Sequence, residues 1–275
     1  MNCDLKAVCR DIRCDILESI GHLGVGHIGG CLSLVEALAV LYFREMHIDP
    51  ARPDMPGRDR LVCSKGHAGP AVYAALAERG YFNKSELLTL NQGGTRLPSH
   101  CDKNLTVGVD MTTGSLGQGF SCAVGAALGA KLEGDGAAVY AIVGDGESQE
   151  GQIWEAAMFA AAKGLDNLIG ITDYNKLQID GPVAEVNGLE PLAEKWAAFG
   201  WNVIDVEDGN DVEQVAAAFE HARLGRGGGK PTMLILNTKK GCGVKWIEEL
   251  GPGNHNTNLS AEQAAAAIAA IRGEG

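Results

Sequence analysis

Val139-Tyr140-Ala141-Ile142-Val143-Gly144-Asp145-Gly146-Glu147-Ser148-Gln149-Glu150-Gly151 carries an apolar run straight into a glycine-flanked acidic turn, and a helical stretch from Ile153 follows. A short apolar run ending in such a turn reads as a buried strand. Glycines on either side of Asp145 let the backbone approach a ligand, and the helix start beyond them offers unpaired amides to an anion. A phosphate group suits that arrangement, although Asp-Gly is also ordinary turn chemistry. About thirty residues on, Leu168 to Thr172 leads into Asp173-Tyr174-Asn175-Lys176-Leu177-Gln178-Ile179-Asp180-Gly181. If the two strands are neighbours, Asp145 and Asn175 meet at one edge of the sheet. A carboxylate, an amide oxygen and a backbone carbonyl, with two diphosphate oxygens and a water, make up the six hard oxygens that magnesium takes.

Outward from this centre, helical and strand patterns alternate. Leu5, Val8, Ile12, Ile16 and Ile20 give an amphipathic helix ending at Gly21, and Ser33 to His47 gives a second, with Ser33 and Glu36 at capping-box spacing. Ala68 to Arg79, Gln118 to Leu132 and a surface helix over Ser260 to Arg272 follow. Short apolar runs at Leu61–Cys63, Val203–Val206 and Met233–Asn237 lie between them. The alternation predicts an α/β fold, a parallel sheet with helices on both faces, in which ligands sit beyond the carboxyl ends of the strands. The loops after Val143 and Thr172 are then the places to look. Gly225 to Lys230 reads as a flexible turn, and no internal repeat is visible.

Composition narrows the partners. With 45% apolar residues over 275 positions, the chain can build a substantial core, and its 38 glycines suit tight turns and close approaches to a ligand. A net charge of −12 argues against nucleic acid. An anionic ligand in that field needs local help from helix N-termini, glycine amides, histidines or a metal. The eight cysteines contain no C-x-x-C pair, which argues against a zinc ribbon or thioredoxin-type motif and predicts reduced thiols. Neither an apolar leader in Met1 to Arg13 nor a membrane-length apolar run is present, so a cytoplasmic protein with no membrane partner is expected. A plain nucleotide-binding domain lacks support: no G-x-G-x-x-G opens the first strand–helix unit, and no P-loop lysine follows a glycine run.

The pair of segments around Asp145 and Asn175 resembles the thiamine diphosphate motif, which begins Gly-Asp-Gly and closes with an asparagine about thirty residues later. Four further segments, in order, make the chain similar to transketolases in particular: Gly26-His27-Ile28-Gly29-Gly30, Ser64-Lys65-Gly66-His67-Ala68, Arg96-Leu97-Pro98-Ser99-His100 and Thr112 to Gly119. The resemblance runs from about Lys6 to His255. It implies a single thiamine diphosphate-binding domain of the diphosphate (PP) type over residues 1–275. The implied metal ligands, for Mg2+ or else Ca2+ or Mn2+, are Asp145, Asn175 and the backbone carbonyl of Leu177. Gly144, Gly146, His67, Gly114, Leu116 and Ile179 are implied cofactor neighbours. The resemblance places His100 at the sugar near its reacting carbonyl, His27 near the acceptor aldehyde, and His255 at either the diphosphate or the substrate. Glu150 matches a glutamate of the family's interface network, and Glu147 matches no role. His22, His47 and His221 are set aside as ordinary histidines.

Two departures qualify the match. Ile28 stands where the family commonly has proline, which frees a backbone constraint but keeps the histidine and glycines. The carboxylate that activates the cofactor's aminopyrimidine lies, in transketolases, in a second domain that is not found here. The resemblance therefore implies a split enzyme, an α2β2 heterotetramer whose partner subunit carries the pyrimidine-binding and C-terminal domains. Such an enzyme breaks the bond between the second and third carbons of a ketose and passes a two-carbon ketol unit to an aldose. Pentose and hexose phosphates are the default substrates, and a sugar with another anionic group looks the same from this chain. Half of a different thiamine enzyme, such as a deoxyxylulose phosphate synthase relative or a biosynthetic ketol transferase, is the nearest alternative. A non-catalytic cofactor-binding half is the other.

Overall fold

The protein is described by a computed structural model over residues 3–273. Five parallel strands form its main sheet: β1 (Arg60–Cys63), β2 (Val139–Gly144), β3 (Leu168–Tyr174), β4 (Asn202–Val206) and β5 (Thr232–Asn237), in the spatial order β1-β2-β3-β5-β4. Each expected run forms a strand, extended by one or two residues. Along β2, Val139, Ala141 and Val143 belong to one core and Tyr140 and Ile142 to the other. That period-two division requires apolar cover on both faces of the sheet.

The cover is helical. One face carries α1 (Leu5–Leu23), α2 (Gly69–Arg79), α5 (Val212–Leu224) and α6 (Ala261–Arg272), while α3 (Gln118–Glu133) and α4 (Gly151–Ala162) cover the other. On the second face Phe120, Trp154, Trp196 and Trp201 pack in edge-on, tilted and stacked pairs, with ring centroids 5.0–5.9 Å apart. Asp4 caps α1 by accepting from the Lys6 and Ala7 amides, and Gly24, at φ 93°, closes it.

Three expectations about the helices are corrected. Gly21 does not end α1 but lies inside it, where a Cβ would sit 2.4 Å from that of Ala264. The glycine is a close-approach point between α1 and α6. For the same reason α6 is more than a surface helix: Ser260 and Gln263 form its capping box, and Ala264 and Ala267 are buried. The capping box expected at Ser33 and Glu36 is absent. Ser33 closes a short helix, Ile28–Leu32, and donates to Asp173 at 2.7 Å, while Glu36 pairs with Arg13 at 2.7 Å. Both side chains are buried, so each takes an internal partner rather than a helix end. The helix itself covers Val35–Val40 and loosens into a π turn over Leu41–Glu45.

In the β2–β3 register Gly144 is paired with Asp173, which sets the two following loops side by side. The ends of β1, β2, β3 and β5 therefore converge at one edge of the sheet. Among the described residues no helix is long and apolar enough to cross a membrane.

Candidate active site

At that edge a cleft of about 390 Å³ opens, within the range of small-molecule sites. Each site residue expected from sequence lines it: His27, His67, His100, Gly114, Leu116, Gly144, Asp145, Gly146, Glu150, Asn175, Leu177, Ile179 and His255. His22, His47 and His221 do not.

The floor is polar and tightly wired. Asp145, only 3% exposed, accepts from the Gly146 amide at 2.7 Å and the Lys176 amide at 2.5 Å. Burial, and then the neighbouring Asp173 carboxylate, push its carboxyl up to about 7. A cation beside it would relieve both causes. The Asn175 amide nitrogen donates to Asp173 at 3.0 Å, and its oxygen accepts from the Leu177 amide at 3.2 Å. Among the described residues no group of three or more His, Cys, Asp and Glu side chains forms a metal cluster. The lining offers one carboxylate, one amide oxygen and one main-chain carbonyl, each accepting from a protein donor and each with a further lone pair, a hard-oxygen set of the kind that leaves positions for phosphate and water.

Four histidines form the wall. Ring centroids lie 5.4 Å apart for His27 and His67, 5.8 Å for His27 and His100, 5.3 Å for His27 and His255, and 5.1 Å for His67 and His255. Burial lowers the pKa of all four. His67 is also opposed by Lys65 and drops to about 2, and His255, opposed by Lys240, to about 4. Near neutral pH the wall is uncharged, with one donor and one acceptor nitrogen on each ring.

The pKa of His255 sets a pH dependence. In the unfolded chain it binds its proton near pH 6.5, but in the folded chain only near 4, so acidification across that window favours unfolding. In urea titrations between pH 7 and 4, the His255→Gln variant gains stability relative to wild type as the pH falls. A difference that stays flat across the window would contradict the assignment.

Two lysines that were not singled out from sequence, and one glutamate, complete the site. Lys65, in the loop after β1, donates to Asp173 at 2.5 Å and to the Gly30 carbonyl at 2.9 Å. Lys240, after β5, is 4% exposed and donates to the Leu177 carbonyl at 3.1 Å, with His255 Nδ1 at 3.2 Å. No carboxylate within 4.0 Å pairs with Lys240 among the described residues, and burial brings its pKa down to about 8. Its position at the carboxyl end of a sheet strand was the available signal. Glu147, which matched no role, is 3% exposed and accepts from Ser64 Oγ at 2.5 Å, the Gly117 amide at 2.9 Å and the Gly144 amide at 3.0 Å. It ties the glycine loop before α3 to the turn after β2.

Residues 5–271 match the family described as transketolase, thiamine diphosphate binding domain. The chain belongs to this family. A 6-deoxy-6-sulfo-D-fructose transketolase subunit from a Clostridium strain is 56% identical to it over 272 residues, 99% of this chain and 98% of that one. An apulose-4-phosphate transketolase subunit from Actinobacillus succinogenes is 44% identical over 223 residues, 81% of this chain and 79% of the relative. The structure of transketolase from Leishmania mexicana superposes with a TM-score of 0.90 at 32% identity, covering 98% of this chain and 41% of the other. This transketolase-family chain thus spans about two fifths of the length of that solved enzyme.

Proposed function

We propose that this chain is the diphosphate-binding half of a two-chain transketolase that removes a two-carbon ketol unit from an anionic ketose and delivers it to an aldose. The observation that carries this reading is Lys240, a buried ammonium with no carboxylate partner among the described residues, which lines the same cleft as Asp145, Asn175 and Leu177. Buried charges are ordinarily paired, so an unpaired cation beside a hard-oxygen set suits a ligand that brings both anionic phosphates and a divalent metal. Thiamine diphosphate, when bound there, supplies the electron sink that lets the bond beside a ketone break.

The chain's own residues do the rest. Asp145, Asn175 and the Leu177 carbonyl hold the cation, Mg2+ in the first instance, and through it the diphosphate. Lys240 and His67 meet the diphosphate oxygens, with Gly114, Gly144 and Gly146 allowing close approach. Leu116 and Ile179, exposed at the mouth, give apolar support to the cofactor rings. His100, His27 and His255, held neutral, donate to sugar hydroxyls and move the proton at the carbonyl oxygen. In this reading residues 1–275 form one diphosphate-binding domain. The aminopyrimidine-activating carboxylate comes from the partner subunit, which closes the cleft near Glu150. A cytoplasmic α2β2 assembly belongs to the same proposal.

The 56% identity to a subunit named for 6-deoxy-6-sulfo-D-fructose supports a ketose with a sulfonate at carbon 6 as donor. Cleavage then leaves a four-carbon aldose retaining the sulfonate. The relative named for apulose 4-phosphate supports a phosphate-bearing sugar as the second reading. Side-by-side assays of the reconstituted complex with 6-sulfonated and 6-phosphorylated fructose separate them: the first reading expects higher kcat/KM for the sulfonate. Lys240→Met is expected to weaken thiamine diphosphate binding by about tenfold or more, the worth of one charge-assisted hydrogen bond. Unchanged affinity by calorimetry would count against the diphosphate role.

A further inference from the structure

Asp173 is the most heavily engaged carboxylate in the molecule's functional edge, yet it faces no ligand. Its side chain is fully buried at the end of β3. Oδ2 accepts from Lys65 at 2.5 Å, Ser33 at 2.7 Å and the Asn175 amide nitrogen at 3.0 Å, and Oδ1 accepts from Thr238. These donors come from the loop after β1, the end of the helix Ile28–Leu32, the loop after β3 and the loop after β5.

An asparagine amide presents an oxygen or a nitrogen on the same side according to a simple flip, and the hydrogen-bond network decides between them. With a carboxylate on one side of Asn175, the flipped amide would set its oxygen against that charge and turn its NH2 toward the cleft. The observed arrangement gives the nitrogen to Asp173 and leaves the oxygen, which accepts from the Leu177 amide, with a second lone pair for a cation. Lys65 pairs with the carboxylate that does this, so Asp173 orients the amide without standing as an unpaired buried charge. We infer that Asp173, neutralised by Lys65, is a positioning residue that selects the cation-binding orientation of Asn175.

This rests on the reading of Asp145, Asn175 and the Leu177 carbonyl as cation ligands, and the test separates the two. In the complex with its partner subunit, the double variant Lys65→Met with Asp173→Asn removes both charges and leaves no stranded ion. Titrating Mg2+ in the presence of thiamine diphosphate, followed by calorimetry, is expected to show a 10- to 100-fold weaker Mg2+ affinity, the usual scale for partners of metal ligands. Turnover should recover to within about threefold at saturating Mg2+, a split that general destabilisation does not produce. A Phe219→Leu variant, in the core away from the cleft, supplies the stability control and should leave Mg2+ affinity unchanged. Should the double variant not fold, Ser33→Ala with Thr238→Val loosens the same carboxylate and should weaken Mg2+ about three- to tenfold. Asp145→Ala serves as the second arm. If Asp145→Ala loses Mg2+-dependent cofactor binding while the Asp173 variants keep wild-type Mg2+ affinity, the positioning role is overturned alone. If Asp145→Ala keeps that binding, the ligand reading falls and the positioning role with it.

Discussion

Asp145→Ala is expected to abolish Mg2+-dependent binding of thiamine diphosphate in the reconstituted complex and to lower transfer activity by at least three orders of magnitude. The size follows from its place in the site. Changing a residue that merely supports a metal ligand costs 10–100-fold in affinity, so losing a directly ligating carboxylate costs more. Asp145 is also the only carboxylate among the three proposed ligands, and Asn175 and the Leu177 carbonyl carry no charge to replace it. Folding should survive, because burial and Asp173 already disfavour the charged carboxylate without a cation. The opposing cost is the acceptor lost by the Gly146 and Lys176 amides, so the variant should unfold close to the wild-type urea midpoint when metal is absent. Calorimetric titration with Mg2+ and thiamine diphosphate decides the matter, and wild-type affinity would contradict the assignment.

Glu147→Ala should produce a large loss of stability. The carboxylate is the acceptor for a serine hydroxyl and two backbone amides, all buried. Stranding a buried donor costs about 1–3 kcal/mol, so the three together set an expected loss of about 3 kcal/mol or more. In a chain of this length that is a fall in Tm of about 5 °C or more. Glu147→Gln, which keeps one acceptor oxygen, should lose less. Because Gly117 and Gly144 belong to the loops that meet the cofactor, thiamine diphosphate should also bind more weakly to the alanine variant at a temperature where it remains folded. A Tm within about 1 °C of wild type would show that the three donors find other partners.

Much of this architecture can be read directly from the chain. The five apolar runs are short, bounded and interleaved with helical periodicity, and their order predicts a parallel sheet whose strand ends hold the site. The spacing of Asp145 and Asn175 then follows from adjacent strands, and their pairing through Gly144 and Asp173 confirms the adjacency. Local signals failed where a distant contact overrode them. Gly21 carries a helix-stop signal, but it lies inside the helix at a close approach to Ala264, far along the chain. Ser33 has the spacing of a cap, yet its hydroxyl is drawn to Asp173. Lys65 lies in a segment recognisable from sequence, but its role depends on a partner 108 positions away. Glu147 matches no role until the glycine loop before α3 folds over it. Lys240 was accessible by the rule that ligands gather at strand ends, since it follows β5 by three residues.

If this chain and a partner subunit together form the site of two-carbon transfer, the two purified chains acquire on mixing an activity that neither has alone. The measurement combines them with Mg2+, thiamine diphosphate, 6-deoxy-6-sulfofructose or a ketose phosphate, and an aldose acceptor, and follows products by mass spectrometry. The expected result is that each chain alone is inactive, while the mixture releases an aldose two carbons shorter than the donor and an acceptor two carbons longer. A complex that binds cofactor and metal but transfers no two-carbon unit from any of these ketoses would contradict it.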